Sequence, residues 1–480
     1  MRSLTQRWRS MPASGWKIIL KQPLIPPAYL QISILFLKFA VSKVTAMENP
    51  NIEFASAEDI KAFQEKELAK HLAYLSANSP FYKKMFKENG IDPAAIKSLE
   101  DLQKIPFTDK LDLQIHGSEF ICVPPEKIVD YITTSGTLGD PVTFVCTEGD
   151  LQRLAYNEEL SFRCAGVTEN SIVQLMTTLD KRFMAGLAYF LGLRKIGAGV
   201  IRVGNGIPEL QWDTIRRIKP DTLMCVPSFI LRLIQYAETH NIDYHNSGVK
   251  RIIGIGESLR NQDFSLSSLG RKIKEKWDVE LYATYSSTEM SATFPECQYQ
   301  CGGHLHPELL IVEIIGEDGK PVPEGNVGEV VVTTIGVEGM PLLRFKTGDM
   351  ASMHYEPCRC GRNTPRISPI VGRKNHLIKL KGTTLYPPAI ADVISSVDYV
   401  AGYYITVDTN DTETDNVTVT VGLKYEPPFD PVKDLKDHFR ARLRVTPEIV
   451  TDSVENVSKV NFPPMTRKPV TFFDNRKQLF

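Results

Sequence analysis

The chain has 480 residues, which is longer than one compact core usually extends and predicts two or three domains. Its formal net charge of −1 provides no overall positive field, so the composition disfavours a protein that binds nucleic acid. An apolar content of 42% and a charged content of 24% are typical of a soluble globular protein.

The first 46 residues differ from the rest of the chain. They contain seven Lys or Arg and no Asp or Glu, and residues 22–37 are uncharged. This stretch holds three prolines and is shorter than the about 20 apolar residues of a membrane span, so we expect no stable span. Three interpretations of residues 1–46 stay open: a start of translation that is really Met47, a targeting or membrane-surface segment, and an ordinary part of the fold. We expect the protein to be cytoplasmic.

Helix-like and strand-like patterns alternate through the first two thirds of the chain. Residues 57–90 have apolar side chains at helical spacing, and helices are also predicted at 227–240 and 269–277. The predicted strands are 172–178, 199–203, 222–226, 251–257 and 279–285. Strands that alternate with helices predict a layered α/β fold with largely parallel sheets. Residues 309–334 are expected to form two strands joined by a loop rich in turn residues.

The composition changes after Gly372, and we place a domain boundary there. Residues 403–425 predict a hairpin, and residues 430–446 predict a helix. We therefore divide the chain into a large α/β domain at 47–372 and a small α+β domain at 373–480.

Small hydroxyl residues and glycines are concentrated in the segment YITTSGTLGDP, residues 131–141. A turn needs one or two glycines, whereas this segment offers several hydroxyl and backbone N–H donors that a ligand can approach closely. The segment therefore predicts a phosphate-binding loop, with a plain turn as the alternative. No GK[S/T] sequence follows, so the loop is not of the Walker type.

Four of the eight cysteines fall in two tight clusters, ECQYQCGGHLHPE (296–308) and PCRCGRNTPRI (357–367). The possible metal ligands in these clusters are Cys297, Cys301, His304, His306, Cys358 and Cys360. Thiolates and imidazoles from two segments can form a closed tetrahedral Zn²⁺ site, which would be structural because no position stays open for water.

We predict Cys297, His304, Cys358 and Cys360 as the zinc ligands. Cys301 is the alternative to Cys297. The competing interpretation is a chance grouping of thiols at a sheet edge.

Five further segments contain short motifs, and each motif alone is weak evidence of a functional site. They are GIGESL (254–259), ELYATYSSTEM (280–290), LLRFKTGDM (342–350), GRKNHLIKLKGTTLYPPAI (372–390) and FPPMTRKPVTFFDNR (462–476). Together with the loop at 131–141, this ordered set resembles the adenylate-forming superfamily of acyl-CoA synthetases, peptide-synthetase adenylation domains and luciferases. The resemblance covers residues 50–480 and is greatest for the phenylacetate–CoA ligase branch.

The resemblance implies a fold, a reaction and its reactants. The fold would be a large adenylate-forming N-terminal domain of layered β-sheets and helices, followed by a small, mobile α+β domain. A carboxylic acid, aromatic or aryl-acetic, would attack the α-phosphate of ATP in the presence of Mg²⁺ to give acyl-AMP and pyrophosphate. The small domain would then rotate, and the thiol of CoA would attack the acyl-AMP.

The resemblance also implies which residues bind ATP. The loop would wrap the β- and γ-phosphates with Thr133, Thr134, Ser135, Gly136, Thr137 and Gly139. The adenine would lie against Gly256, Glu257, Ser258 and Tyr285, and the last belongs to a motif with Ser286, Ser287 and Thr288. Asp349 would accept the ribose hydroxyls, because a carboxylate offers two acceptor oxygens.

The resemblance implies two catalytic residues, Glu289 and Lys468, and one further nucleotide-binding residue, Arg373. Glu289 would hold Mg²⁺, which prefers oxygen ligands. Arg373 would lie near the ribose and phosphate. Lys468 would bridge the attacking carboxylate and the α-phosphate, where negative charge develops.

The chain departs from the family pattern at the hinge position, which is Asn375 rather than Asp, at Ser286 rather than Gly, and in the segment 175–192. The last departure concerns the acyl pocket and leaves the acid undefined. Two alternative functions stay open: an enzyme that loads an acyl group onto a carrier protein, and a nucleotide-binding protein without catalysis. A homodimer is an additional expectation.

Overall fold

The computed structural model of the protein describes residues 48–134, 142–409, 415–463 and 469–476. From Asn49 onward the chain forms one compact unit. The predictions for residues 1–46, for Ser135, Gly136, Thr137 and Gly139 of the loop and for Lys468 lie outside the described residues.

The helices and strands have the following bounds. The α-helices are α1 (Ala57–Asn78), α2 (Pro80–Glu88), α3 (Lys110–His116), α4 (Glu148–Cys164), α5 (Met184–Ile196), α6 (Pro208–Ile218), α7 (Pro227–Thr239), α8 (Ser268–Lys276), α9 (Pro387–Ser395), α10 (Pro431–Leu443) and α11 (Val454–Asn461). The strands are β1 (Asp130–Thr133), β2 (Thr143–Cys146), β3 (Ile172–Leu175), β4 (Gly199–Arg202), β5 (Thr222–Cys225), β6 (Arg251–Gly254), β7 (Glu280–Ser287), β8 (Ala292–Pro295), β9 (Gly303–His304), β10 (Leu310–Ile315), β11 (Gly328–Thr334), β12 (Phe345–Ala351), β13 (Met353–His354), β14 (Arg366–Ile367), β15 (Gly372–Arg373), β16 (Ile378–Leu380), β17 (Thr383–Leu385), β18 (Val400–Thr409), β19 (Asp415–Leu423), β20 (Glu448–Asp452) and β21 (Phe472–Asp474).

A six-stranded sheet with the order β4-β3-β5-β6-β7-β8 forms the centre of the large domain. Strands β3 to β7 are parallel, and β8 pairs with β7 in the antiparallel sense. Helices cover both faces: Trp212 of α6 and Ile230 of α7 pack in one core, and Phe162 of α4 and Tyr189 of α5 pack in another. Strand β5 is buried along its whole length, as expected for a parallel strand between two helical layers. The predicted layered α/β fold is therefore confirmed.

A second, antiparallel sheet with the order β10-β11-β12-β15 lies at the end of the large domain. Strands β10 and β11 are the two strands predicted within 309–334, and they pair from Leu310 opposite Thr334. Tyr82 of α2 and Phe345 of β12 share its core, so the N-terminal helices cover this sheet. The pairing of β12 with β15 places Asp349 directly opposite Arg373.

The C-terminal part of the chain has a core of its own. The sheet order is β20-β19-β18-β21, and the predicted hairpin is present as the antiparallel pair β18 and β19. Ile390 of α9, Phe439 of α10 and Val419 of β19 are completely buried in this core. Because β15 still pairs with β12, the first residues after the predicted boundary belong to the sheet of the large domain. The boundary at 372 itself stays a prediction.

None of the helices in the described part of the chain is long and apolar enough to cross a membrane.

A buried ion-pair network ties the short turn Pro50–Phe54 to the rest of the large domain. Glu53 is 1% exposed, and its two carboxylate oxygens accept hydrogen bonds from Nδ1 of His306 at 2.6 Å and from Nε of Arg362 at 2.7 Å. Asn363 donates its backbone N–H to the carbonyl of Glu53 at 2.8 Å. Three segments far apart in sequence are therefore held together by one carboxylate.

Replacing this carboxylate tests how much the network stabilises the fold. We expect Glu53→Ala to lower the free energy of unfolding by about 3–5 kcal/mol, because His306 and Arg362 would stay buried without their partner. Urea denaturation measures the change. Glu275→Ala, at an exposed position of α8, is the matched control and should change stability by less than about 0.5 kcal/mol. Equal effects of the two substitutions would contradict the prediction.

Candidate active site

A cleft of about 2430 Å³ lies at the carboxyl ends of the parallel strands. Ligands bind at this edge in open α/β sheets because loops with exposed backbone groups converge there. The cleft is lined by segments that follow β6 and β7, by β12, and by parts of the small domain that include α9 and Pro469. Pro469 follows Lys468 in sequence, so the described neighbour of that lysine contributes to the cleft.

Asp349, Tyr285 and Arg373 are brought together at one wall of the cleft. The hydroxyl of Tyr285 donates to Oδ2 of Asp349 at 2.9 Å, and Nε of Arg373 lies 3.4 Å from Oδ1. Burial raises the pKa of Asp349, while Arg373 and the hydrogen bond from Tyr285 act in the opposite direction. Burial also raises the pKa of Tyr285 well above its usual value, so this hydroxyl remains a donor. The arrangement fixes the orientation of a carboxylate that can accept hydrogen bonds from a ligand.

Glu289 lies in the tight turn that follows β7, and a buried arginine fixes that turn. The guanidinium of Arg153 on α4 donates from Nη1 to the carbonyl of Ser291 at 2.6 Å, from Nη2 to Leu309 at 2.7 Å and from Nε to Ile335 at 2.7 Å. Burial lowers the pKa of Arg153 to about 10, so it stays charged at neutral pH. Arg153 thus joins the turn that follows β7 to the start of β10 and the end of β11 in the antiparallel sheet.

Lys110 is a further basic residue of the cleft that the sequence did not indicate. Burial lowers its pKa, the negative charge of Glu289 raises it, and the positive charge of Arg373 lowers it. The ammonium group therefore lies within electrostatic reach of two predicted site residues. In the sequence it is one lysine at the start of a short helix and carries no recognisable motif.

The segment after β6 uses its polar groups to shape the backbone. Gly256 has a φ of 72°, in the left-handed region where glycine is unstrained. The carboxylate of Glu257 accepts hydrogen bonds from the backbone N–H of Ser228 at 2.8 Å and from its hydroxyl at 2.9 Å. The first of these contacts pairs a backbone N–H in the first turn of α7, which has no acceptor within the helix. Ser258 donates its hydroxyl to the carbonyl of Arg260 at 2.7 Å. The three predicted adenine residues of this segment line the cleft, but the side chains of Glu257 and Ser258 already have a structural role.

The described part of the predicted phosphate loop is its base. Thr133 ends β1 and is buried, and Thr134 lines the cleft. Thr134 donates its backbone N–H to the carbonyl of Val142 at 3.0 Å, and its hydroxyl accepts from the N–H of Val142 at 3.1 Å. These two bonds close the loop where it leaves the β1–β2 pair. Ser286, Ser287 and Thr288 of the second motif also line the cleft.

The predicted zinc ligands lie together, and none of them lines the cleft. One ligand atom from each of Cys297, His304, Cys358 and Cys360 can be chosen so that all four lie within 4.8 Å of one another. The sulfurs of Cys297 and Cys358 are 3.7 Å apart, and Nε2 of His304 is 3.5 Å from the sulfur of Cys360. A tetrahedral site with Zn–S bonds of about 2.3 Å places two sulfurs about 3.8 Å apart, so the side chains fit this ion.

The other two possible zinc ligands, Cys301 and His306, have different contacts. The sulfur of Cys301 is half-buried and lies 3.9 Å from that of Cys358, so it borders the cluster. Nδ1 of His306 contacts Glu53, and Nε2 lies 3.4 Å from the hydroxyl of Ser161, so both ring nitrogens have partners outside the cysteine cluster. Nδ1 of His304 lies 3.2 Å from the hydroxyl of Thr364, a contact that can orient the ring.

Comparisons with known proteins identify the family of this chain. Residues 41–339 match the family described as AMP-binding enzyme, which is more than half of the chain. The chain belongs to the AMP-binding enzyme family. The phenylacetate–coenzyme A ligase of Thermus thermophilus is 30% identical over 366 residues, which are 75% of this chain and 80% of that relative.

The solved structures show the same fold. A 2-hydroxyisobutyryl-CoA ligase in the postadenylation state has a TM-score of 0.78 at 20% identity and covers 89% of this chain and 92% of its own. The same ligase with CoA in the thioesterification state has a TM-score of 0.64. The predicted superfamily is confirmed, and so is the reaction class of an ATP-dependent acid–thiol ligase that forms acyl-AMP and transfers the acyl group to CoA.

Replacing Glu257 tests whether its carboxylate caps α7 or binds the adenine of ATP. We expect Glu257→Ala to lower the free energy of unfolding by about 0.5–2 kcal/mol, because the N-terminus of α7 loses its capping partner. Urea denaturation measures this loss, and Glu238→Ala, which removes an exposed carboxylate from the same helix, is the control. ATP affinity of the folded variant, measured by calorimetry, separates the two roles. Unchanged stability with weakened ATP binding would assign the residue to the nucleotide instead.

Proposed function

We propose that this enzyme activates an aromatic or aryl-acetic acid with ATP and Mg²⁺ and transfers the acyl group to CoA. The observation that supports it best is the set of Asp349, Tyr285 and Arg373 beside the turn that carries Glu289. Relatives that are phenylacetate–coenzyme A ligases support the class of acid.

The chemistry requires that a carboxylate attack a phosphate of the same charge sign. Asp349 would accept both ribose hydroxyls of ATP, held in position by Tyr285 and Arg373. Glu289 would hold Mg²⁺, which neutralises the phosphate charge when it is bound, and a carboxylate on a rigid turn fits this hard cation. The loop that starts at Thr134 would donate N–H and hydroxyl groups to the β- and γ-phosphates.

Lys468 would supply the remaining positive charge. It would bridge the acid and the α-phosphate, so that the attack is aligned and the charge on phosphorus is stabilised in the transition state. The small domain would then rotate near Asn375 to admit CoA. A homodimer and a cytoplasmic location stay predictions.

Pyrophosphate release with a panel of carboxylic acids, with and without CoA, tests the proposed function. We expect release with aryl-acetic acids and the formation of an acyl-CoA when CoA is present. Lys468→Ala should lower the rate of adenylation by a factor of about 10²–10³, typical of losing one transition-state charge contact. ATP affinity should change little.

Lys459→Ala is the matched control, because Lys459 is an exposed lysine of α11 that pairs with Glu455. It should retain the wild-type rate. Full adenylation by the Lys468 variant would remove that residue from the mechanism. Acyl-AMP formation without acyl-CoA, but with transfer to a carrier protein, would favour the alternative acceptor.

We also propose one structural Zn²⁺ per chain, bound by Cys297, His304, Cys358 and Cys360. The observed spacing of the sulfur and nitrogen atoms supports it. Such a closed site cannot activate water, so the metal would stabilise the loop at 358–364 against the segment at 297–304.

Elemental analysis of the purified protein tests the zinc proposal. Cys358→Ser should lower metal content and melting temperature together, because the binding energy of the ion contributes to folding. Cys297→Ser and Cys301→Ser form a matched pair: the first should release zinc, and the second should retain it. The reverse result would assign Cys301 as the ligand. Zinc that is absent from the wild type, or retained when Cys358 and Cys360 are both replaced, would refute the site.

A further inference from the structure

A buried carboxylate forms part of the cleft wall at a place that the proposed nucleotide site does not use. Glu158 on α4 is 3% exposed and lines the cleft. Its Oε1 accepts hydrogen bonds from the hydroxyl of Thr293 at 2.7 Å and from the side-chain amide of Asn157 at 3.1 Å. Oε2 accepts no hydrogen bond from the described residues. Because Glu158 lines the cleft, this oxygen can accept a hydrogen bond from a ligand that enters it.

The position of Glu158 is fixed by tight packing. Helix α4 packs against both α5 and β8. A Cβ added at Gly192 of α5 would lie 2.3 Å from Cβ of Glu158, so the two helices are in close contact at this residue. On the other side, Thr293 of β8 holds Oε1. Glu158 therefore has little freedom to turn away from the cleft.

Glu158 lies between the predicted nucleotide motif, at Ser286, and a group of apolar side chains that line the cleft. The hydroxyl of Tyr189 lies beside Ser286 at the end of β7 and within electrostatic reach of Glu158. Apart from Tyr189 and Thr293, the lining side chains on α5 and β8 are apolar: Met184, Ala185, Ala188, Ala292 and Phe294. A mostly apolar pocket with a few polar groups is the usual form of a selective small-molecule site.

The geometry points to an acyl pocket in which Oε2 of Glu158 accepts a hydrogen bond from a hydroxyl or amino substituent of the acid. This inference rests on the proposed function and narrows it to hydroxy- or amino-substituted aryl acids. Burial raises the pKa of Glu158 to about 7, while Thr293 and the charge of His306 oppose this shift. A donor on the substrate would stabilise the charged carboxylate, which unsubstituted phenylacetate could not do.

Matched acids test the inference through pyrophosphate release. The panel is phenylacetate, its 3- and 4-hydroxy and 3- and 4-amino derivatives, and 4-methylphenylacetate, which matches the 4-hydroxy acid in size but has no donor. A site built for a donor rejects the analogue that lacks it. We therefore expect kcat/KM for at least one hydroxy or amino acid to exceed that for phenylacetate and 4-methylphenylacetate by at least about tenfold.

Substitutions then assign this preference to the carboxylate. Glu158→Leu should remove the preference or reverse it, and Glu158→Gln, which keeps an acceptor oxygen, should retain part of it. The ratio of kcat/KM for two acids in one variant is independent of how much of the protein is folded. Glu159→Gln is the control, because Glu159 on the same helix pairs with Arg163 and Lys195 instead. It should leave the ratio unchanged.

Two failures can be told apart. If no acid of any class supports pyrophosphate release, the proposed function itself is wrong. If phenylacetate and 4-methylphenylacetate are used as well as the substituted acids, or if Glu158→Leu keeps the preference, the enzyme is a ligase and only the role of Glu158 is overturned.

Discussion

The candidate site depends on one buried guanidinium. Arg153 is 2% exposed and donates to three backbone carbonyls that belong to the turn after β7, to the residue before β10 and to the residue after β11. Hydrogen bonds from a charged donor in a water-excluded place are strong and directional. The turn that carries Glu289 is therefore fixed relative to the antiparallel sheet, whose strand β12 contributes Asp349 to the cleft.

Because Arg153 connects the two sheets, side chains from both sheets can meet in one cleft. Glu289 comes from the turn that Arg153 holds, at the carboxyl edge of the parallel sheet. Asp349 and Arg373 come from neighbouring antiparallel strands, whose register places them opposite each other. Tyr285 bridges the two sheets through its hydroxyl. Preorganisation of this kind matters for phosphoryl chemistry, because the enzyme acts mainly by alignment and electrostatic stabilisation.

A second buried network supports the large domain, and none of its residues Glu53, His306 and Arg362 lines the cleft. Glu53 joins His306 to Arg362, and Arg362 lies beside Cys360 of the cysteine cluster, with Nη1 3.7 Å from its sulfur. The cluster and the N-terminal turn are thus parts of one arrangement. The charges in it are paired, which is the condition under which buried charges are tolerated. Although His304 and His306 are only two residues apart, His304 therefore contacts Cys360 of the cluster and His306 contacts Glu53.

Periodicity and local spacing were enough to predict the alternation of strands and helices, the hairpin of the small domain and the four side chains of the cysteine cluster. The sequence did not indicate Arg153, Lys110 or Glu158, nor the capping contact of Glu257. On an isolated helix α4, Arg153 and Glu158 are indistinguishable from exposed charges such as Arg163. Only the packing of α5, β8 and the antiparallel sheet decided which charges are buried, because burial depends on partners that are distant in sequence.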